Sequence, residues 1–599
     1  MLFMRCAATQ EEVQRRMTSL ILAVLLPAQV GAVLPPDSVN RLRGQARSAE
    51  AYFERLSRNL APVAWGGFDG RNCDEIVGRF CLRFDSTGTS RPSPLEAGRV
   101  VDARRAAVEA QRRYFAAAPH ERAAAGPLVR LLVRDDRASE AVAVAGTFAA
   151  LSGDSLWSSL FQGLALHATG DADAAERHFA AALRHMEPSV RADWADPRWL
   201  VDYREQRELR RMGDAQRADY ERRFWIASDP FWLTGANERW VEHMARHAEA
   251  RLLSEVPVVQ GMTRWGRDLD ELTVRYGTPS ARSRVPGTLP MDPGTFVEYF
   301  DTAQRAYTPE RMASAGFPEP PLPGDPPPLY AARTRSGYAM RTVSRVTDLP
   351  HQATRFLAGD DVVLRVDGAL PTPHDSARGT LELGLFVYDS AFTRRLQERS
   401  SPAWQADTTT FSLAVRSPPG VLIYSAEALD TVAGVAARAR YRLSALVPDA
   451  GPVVSDLLLC QPFRDGALPE RNDDPALRPL PVLVVTAGDT LGLYAEVYRL
   501  AGRGAEALAV ELSMEPLDGP GLLSRIGRWI GRAAGLAGPR TDPRVSWRAE
   551  ADGDVYPVAM NLPIDVRRSG RYVLILRATD LVTAQTAEAR RPVLIRSGR

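Results

Sequence analysis

The sequence predicts a multidomain α+β protein with a helical N-terminal part, a small α+β domain and two antiparallel β-sandwiches at the C-terminus. The chain has 599 residues, which at 100–200 residues per domain corresponds to about three to five domains. Before residue 250, apolar residues recur at the three- and four-residue spacing of amphipathic helices. After residue 335, alternating and β-branched runs separated by turn residues indicate strands.

The N-terminal half divides into two predicted helical regions, 38–125 and 126–250. In the second region, Gly163 falls in one helix, Gly170 in a turn, and Ala175 and Phe179 in the next helix. This spacing resembles a tetratricopeptide repeat, in which a small residue lets two helices pack closely around an aromatic ring. Such arrays usually bind proteins, and the alternative is a helical scaffold without a partner.

The C-terminal half begins after a proline-rich stretch, 316–334, which is predicted to be an extended linker. The two predicted sandwiches cover 335–465 and 466–599. The segment 521–538 interrupts the second one and is predicted to be an amphipathic helix, with arginines on one face. Its apolar face suggests peripheral contact with a membrane, and the alternative is packing on its own sheet; that face carries Leu522, Ile526, Trp529 and Ile530.

Composition excludes several classes of protein. The 75 basic and 73 acidic residues nearly cancel, giving a net charge of +2, which argues against a nucleic-acid-binding protein. The sequence contains no lysine. A lysine-free chain cannot form a Schiff base with pyridoxal phosphate and has no lysine-dependent nucleotide site. No cofactor is predicted.

The first 32 residues have the layout of a secretory signal peptide, although a start at Met17 instead of Met1 would leave almost no positively charged n-region. Arg15 and Arg16 precede a short apolar run, and small residues follow it. An uncleaved anchor and a buried helix are the alternatives. The predicted location is therefore outside the cytoplasm, in the periplasm or at the cell surface.

Cys73 and Cys81 are disulfide candidates in an exported protein. Eight residues of helix would separate them by about 12 Å, too far for a bond. A disulfide therefore requires a turn, which Gly78 can supply. The alternative is a pair of unlinked thiols.

The most distinctive segment is 222–279. Asp229-Pro230 is predicted to end one helix, because the residue before proline avoids the helical conformation. Asn237 is a suitable N-cap for the next helix, and Glu238 suits its positive end. His243 and His247 share a face of that helix, but Glu242 precedes them rather than following, so a surface pair is predicted and no metal site.

This segment resembles the GWxTD-domain proteins, a bacterial family named for a Gly-Trp-x-Thr-Asp signature. The matching residues are Phe224, Trp225, Asp229, Pro230, Asn237, Glu238, Trp265, Asp268, Tyr276, Gly277 and Pro279. Arg264 and Arg267 stand where the family has glycine and threonine, and Asp270 replaces a further glycine. The resemblance implies a small α+β domain over 251–315, with a short strand after the signature, and implies no established activity.

Six of the eleven tryptophans lie between residues 194 and 265. They are predicted to form an aromatic core, and the alternative is a groove that stacks on sugars or a peptide. Asp268 is predicted to accept hydrogen bonds from backbone or arginine, with a catalytic carboxylate as the alternative.

The sequence thus favours a non-catalytic interaction scaffold whose partner is another envelope protein. The alternatives are a cell-wall or carbohydrate-binding module, and a hydrolase with an aromatic cleft around Trp265 and Asp268.

Overall fold

The fold is mixed α+β, with a helical N-terminal region and β-sheets at the C-terminus. The computed structural model describes residues 35–59, 73–84, 96–201, 203–256, 265–279, 281–285, 295–300, 317–325, 346–373, 378–393, 395–446, 451–464, 468–501, 504–517, 544–551, 553–566 and 569–597. The predicted signal peptide and the segment 521–538, with Leu522, Ile526, Trp529 and Ile530, lie outside these residues. No helix among the described residues combines the length and the apolar character needed to cross a bilayer.

The helices and the first strands follow in chain order. They are α1 (Pro36–Asn59), β1 (Glu75–Val77), β2 (Phe80–Phe84), α2 (Gly98–Ala117), α3 (Arg122–Arg134), α4 (Ala138–Ser152), α5 (Ser155–Thr169), α6 (Ala172–His185), α7 (Pro188–Ala195), a 3₁₀ turn (Pro197–Trp199), α8 (Tyr203–Leu209), α9 (Asp214–Ser228), α10 (Glu238–Ser254), α11 (Arg267–Tyr276), β3 (Ala281–Val285) and β4 (Thr295–Phe300).

Local chemistry sets several of these boundaries. The side chains of Asp154, Asp171 and Asn237 each accept a hydrogen bond from a backbone N–H in the first turn of the following helix, which satisfies an otherwise unpaired donor. Gly170 has φ +87° and ends α5 in the left-handed conformation. Gly170 at the end of α5 and Asp171 at the start of α6 are adjacent, and together they permit the tight connection between these two helices.

Helices α1–α6 and α10 share one hydrophobic core, which includes Phe53, Phe148, Phe161 and Phe179. Helix α1 is also joined to the other helices by a buried ion network. The Arg130 guanidinium donates to Glu50 at 2.7 Å and to Glu54 at 2.6 Å, so charges taken out of water are paired with each other.

A small sheet with the order β1-β2-β4-β3 combines distant parts of the chain. Strand β2 pairs in parallel with β4, so residues 75–84 belong to this sheet although the sequence assigned them to a helical region. Helix α11 packs its apolar residues Leu269, Leu272 and Tyr276 against Val77, Phe80 and Leu82.

The remaining strands form two pairs of sheets. They are β5 (Thr347–Asp348), β6 (His351–Ala358), β7 (Asp361–Pro371), β8 (Glu382–Asp389), β9 (Arg395–Ser400), β10 (Thr408–Ser417), β11 (Leu422–Asp430), β12 (Val435–Leu443), β13 (Val453–Val454), β14 (Leu458–Cys460), β15 (Val484–Thr486), β16 (Thr490–Tyr498), β17 (Gly504–Pro516), β18 (Arg544–Ala551), β19 (Val555–Pro563), β20 (Gly570–Asp580) and β21 (Thr586–Arg596).

In the first pair, the sheets β10-β7-β6 and β5-β12-β11-β8-β9 share one hydrophobic core. In the second pair, the sheet β13-β16-β14, extended by β19, shares a core with β15-β21-β20-β17-β18. Except for the β5–β12 and β15–β21 pairs, which are parallel, neighbouring strands in these sheets run antiparallel.

The change from one pair of sheets to the next falls between Leu443 and Val453. Strands β13 and β14 hydrogen-bond to β16, so the boundary drawn at 465 from the sequence lies inside the second pair. The polar, turn-rich residues around 464–478, which favoured a boundary there, instead connect β14 to β15 within the second pair.

The proline-rich segment is also more closely packed than a free linker. Phe317 is buried against the first pair of sheets, and the Pro318 carbonyl accepts a hydrogen bond from the Arg442 N–H at 2.8 Å. Asp325 pairs with Arg571 at 2.7 Å. Residues 317–325 therefore lie along both pairs of sheets.

Candidate functional site

Two buried histidines and three tryptophans form an aromatic cluster between α9, α10 and the segment 194–199. His243 and His247 are 0% and 7% exposed, and their ring centroids lie 4.5 Å apart. Trp194 and Trp199 stack on His247 at 5.1 and 5.7 Å, and Trp225 lies 4.8 Å from His243. The predicted surface pair is therefore wrong, because this face of α10 packs against α7 and the 3₁₀ turn.

Both imidazoles are neutral near pH 7. Burial, with lesser contributions from His247 and Arg239, places the pKa of His243 well below its ordinary value, and burial beside Arg198 lowers the pKa of His247 to about 3. His243 Nε2 lies 2.9 Å from the Trp194 carbonyl oxygen, so this nitrogen carries the proton and donates it. His247 Nε2 is buried and has no hydrogen-bond partner among the described residues.

A groove with a volume of about 640 Å³ opens beside this cluster. It lies between the segment 193–199, the C-terminal half of α10 and the start of α11. Its lining is Asp193, Trp194, Arg198, Trp199, His247, Ala250, Arg251, Ser254, Trp265, Gly266, Arg267 and Asp270. The groove has the size typical of ligand-binding cavities.

Trp265 of the signature forms one wall of the groove and is half-buried. Its indole Nε1 donates to Asp270 Oδ1 at 2.8 Å, and the Arg58 guanidinium lies 5.8 Å from the ring centre. Burial raises the pKa of Asp270 despite this hydrogen bond. The plane of the indole is thus set by two polar neighbours.

Asp268 of the signature faces away from the groove lining and binds Arg79. The Arg79 Nε and Nη2 atoms donate to the two carboxylate oxygens at 2.5 and 2.6 Å, and the Leu269 N–H donates to Oδ1 at 3.0 Å. Burial opposes ionisation, but the hydrogen bonds from Arg79 outweigh it and the pKa of Asp268 lies below its ordinary value. Asp268 is consequently an ionised structural acceptor.

Arg79 belongs to a hairpin closed by a disulfide. Cys73 and Cys81 are bonded, with their Cα atoms 5.3 Å apart, and Gly78 makes the turn with φ +52°. A Cβ atom on Gly78 would lie 2.4 Å from the Asp268 Cβ. The hairpin therefore rests directly on the signature, and only glycine fits at the contact.

The signature continues as a helix, which corrects the strand implied by the family resemblance. Residues 267–276 form α11 because their apolar side chains follow helical spacing and cover the small sheet. The Tyr276 hydroxyl donates to Glu75 at 2.6 Å. Gly277, with φ +71°, ends the helix just before Pro279.

The upstream part of the motif holds two helices together. Asn237 accepts from the Trp240 N–H at 2.9 Å and donates its amide to the Trp225 carbonyl at 2.6 Å. The Trp225 indole donates to the Ala195 carbonyl at 3.0 Å. Phe224 is fully buried, and Glu238 lies in the first turn of α10.

Asp229 and Pro230 lie at a buried junction with the first pair of sheets. Arg440 donates to the Asp229 carbonyl at 2.8 Å and to Glu427 at 2.8 Å, and its guanidinium lies 3.8 Å from the Trp232 ring centre. Burial and the neighbouring Arg438 lower the pKa of Arg440 to about 10. Burial also raises the pKa of the Asp229 carboxyl well above its ordinary value.

The structure brings Trp265 together with Trp194, Trp199 and His247, but leaves Asp268 in a separate ion pair. Sequence reasoning named these tryptophans but placed them all in one core, whereas Trp232 packs against Tyr388 of the β-sheet. The sequence reasoning did not identify Arg79. The only sign of it in the sequence is that it is the one arginine between Cys73 and Cys81.

Comparisons with known proteins leave the chain without an assigned family. No family model matches it, and no curated protein does. Among solved structures, it is similar to the crystal structure of red sea bream transglutaminase, with 11% identity over 45% of this chain and 37% of that one. The TM-score of 0.13 is too low for this likeness to support any inference about fold or function.

Proposed function

We propose that the protein is a non-catalytic interaction scaffold outside the cytoplasm, with another envelope protein as its partner. The buried junction around Arg440 is the observation that carries this proposal. There, the backbone of residues 229–233, which begin with Asp229-Pro230 of the motif, is hydrogen-bonded to side chains of the first pair of sheets. These side chains are Arg440, Arg438 and Glu427. Such a junction keeps separate binding surfaces in a constant arrangement.

Packing details support tetratricopeptide-like repeats and β-sandwiches within this scaffold. A Cβ atom on Gly163 would lie 2.7 Å from the Phe179 ring, which is the close approach that such repeats need. Each pair of sheets shares one core, as in a sandwich. We also propose that the chain is a divergent GWxTD protein, on the motif residues alone.

Location outside the cytoplasm is supported by the Cys73–Cys81 bond, because disulfides persist mainly in oxidising compartments.

A hydrolase based on Asp268 is disfavoured, because both carboxylate oxygens are occupied by Arg79. A general acid or base needs a proton-transfer position that the substrate can reach.

Site-specific photo-crosslinking in the intact envelope tests the scaffold. A photo-reactive amino acid replaces Leu151, at the end of α4 and 55% exposed, or Val582, in the turn after β20 and 69% exposed. The exposed Arg471 is the control position. We expect one dominant protein partner from Leu151 or Val582 and none from Arg471. Equal background from all three positions would contradict the proposal.

A further inference from the structure

The two pairs of sheets at the C-terminus repeat one arrangement of strands. The five-stranded sheet of the first pair has the order β5-β12-β11-β8-β9, and that of the second pair has the order β15-β21-β20-β17-β18. In each sheet the short strand at the start of this order runs parallel to its neighbour, and the other neighbours are antiparallel. The hairpins β11–β12 and β20–β21 therefore occupy equivalent places.

The turns of these two hairpins have the same construction. Asp430 accepts hydrogen bonds from the N–H groups two and three residues further along the chain, both at 3.0 Å, and Asp580 does the same at 2.8 and 3.0 Å. Gly434 has φ +66°, and Ala584, at the same distance from its aspartate, has φ +58°. The two hairpins can thus be matched residue by residue, starting from the aspartates.

Matched positions on the outer faces of the two hairpins carry the same set of charges. The outer face of each strand holds the residues that alternate with those in the shared core. Each outer face has two arginines and one glutamate, which we call a charge trio, and in both trios the glutamate stands directly opposite an arginine of the other strand. The first trio is Glu427, Arg438 and Arg440, and the second is Arg577, Glu588 and Arg590.

The first charge trio holds the C-terminal end of helix α9. Arg440 donates to the carbonyl oxygens of Ala227 and Asp229 at 3.2 and 2.8 Å. Arg438 donates to the carbonyl oxygen of Pro230. Carbonyl groups at the end of a helix lack helical partners and carry the negative end of the helix dipole. Two guanidinium groups on a sheet face therefore recognise a helix end here.

The second charge trio lies on the surface. The side chains of Arg577, Glu588 and Arg590 are 40%, 25% and 63% exposed, whereas the first trio is buried. Arg577 donates to Glu588 at 2.6 Å and lies 3.6 Å from Glu511. Arg590 donates to Glu588 through Nε, and its two terminal nitrogens have no partner among the described residues. These two nitrogens can therefore donate to carbonyl groups of another molecule.

We propose that the second charge trio binds the C-terminal end of a helix of the partner protein, in the way that the first trio binds α9. This inference rests on the proposed scaffold function and adds the surface that the partner contacts. Arg590 donates to the last carbonyl groups of the helix, while Glu588 holds its guanidinium in place.

The partner contact is weaker than the internal junction. Phe386 packs against Trp232 on the first outer face, and the matched position on the second outer face is Ser513. Less apolar surface is therefore buried at the second trio, and the contact with the partner is reversible.

Site-specific photo-crosslinking of the full chain in the intact envelope tests this surface. A photo-reactive amino acid replaces Thr586, an exposed residue on the outer face of β21, and mass spectrometry maps the partner residue that it captures. We expect capture of the last turn of a partner helix or of the residues directly after it. Arg590→Ala should lower the yield roughly tenfold, because it removes hydrogen bonds from a charged group. Arg596→Ala is the matched control, since Arg596 is exposed on the same strand about 20 Å away, and it should leave the yield unchanged.

Circular dichroism checks that the Arg590→Ala chain is folded. The inference is overturned if capture at Thr586 does not respond to Arg590→Ala, or if it maps to a strand or to the start of a helix. It is also overturned if Thr586 captures nothing while Leu151 still captures a partner, and the scaffold proposal then stands. Absence of a partner from Leu151, Val582 and Thr586 alike overturns both proposals.

Discussion

At the scale of single residues, the buried histidines make the protein sensitive to acid. The unfolded chain protonates His247 near the ordinary value of 6.5, whereas the folded chain has a pKa of about 3. A lowered histidine pKa means that the unfolded state binds more protons as the pH falls from 6.5 towards 3. Stability from neutral His247 is therefore complete above pH 6.5 and is lost over that range.

The variant His247→Gln isolates this contribution from that of other titrating groups. Between pH 7 and pH 5, the wild type should lose about 2 kcal/mol of unfolding free energy relative to the variant. Denaturant unfolding at both pH values measures the difference. His120→Gln, at an exposed position, serves as the control, and identical slopes for wild type and His247→Gln would refute the assignment.

At the scale of elements, the hairpin β1–β2 and helix α11 stabilise each other through Arg79 and Asp268. Arg79→Ala should increase hydrogen exchange across residues 267–276, because it removes the paired donors from Asp268. The effect should be modest, since the Arg79 side chain is 44% exposed and water screens the pair. Arg83→Ala, in the same hairpin but 3.8 Å from its partner Asp74, should leave α11 unchanged.

The disulfide restricts the same hairpin. The double variant Cys73→Ser/Cys81→Ser should lower the local opening free energy of β1–β2 by roughly 2–3 kcal/mol, as expected for a short closed loop. Hydrogen exchange of residues 75–84 measures it. Dithiothreitol should bring the wild type to the level of the double variant, and a wild type that exchanges equally fast before reduction would contradict the prediction.

Elements with local signals were predictable from sequence. Asn237 as a cap and the turn at Gly78 depend on neighbouring residues, and the structure has both. The strand after Trp265 was wrong, because the spacing of Leu269, Leu272 and Tyr276 is helical. The helical spacing is a local signal in these residues, whereas the strand is implied only by the family resemblance.

At the scale of the whole molecule, long-range pairing limited the prediction. Strand β2 pairs with β4 across more than two hundred residues, and β13 pairs with β16 beyond a polar loop. No local pattern identifies such partners. The same holds for the groove, whose walls come from segments 193–199, 247–254 and 265–270, so only single tryptophans were visible in the sequence.

The helical region and the first pair of sheets should unfold as one unit because of the buried junction. Arg440 and Glu427 are 0% and 1% exposed, so Arg440→Met leaves the buried Glu427 carboxylate without its ion-pair partner. Breaking a buried pair in this way costs about 3–5 kcal/mol. Calorimetry should show an earlier transition for the helical region, separated from that of the sheets, with limited proteolysis cutting near residues 228–233.

Arg416→Met is the matched control, because Arg416 pairs with Asp361 on the sheet surface with its side chain 61% exposed, and such pairs contribute little. A single unshifted transition in Arg440→Met would show that the two regions are held together by other contacts.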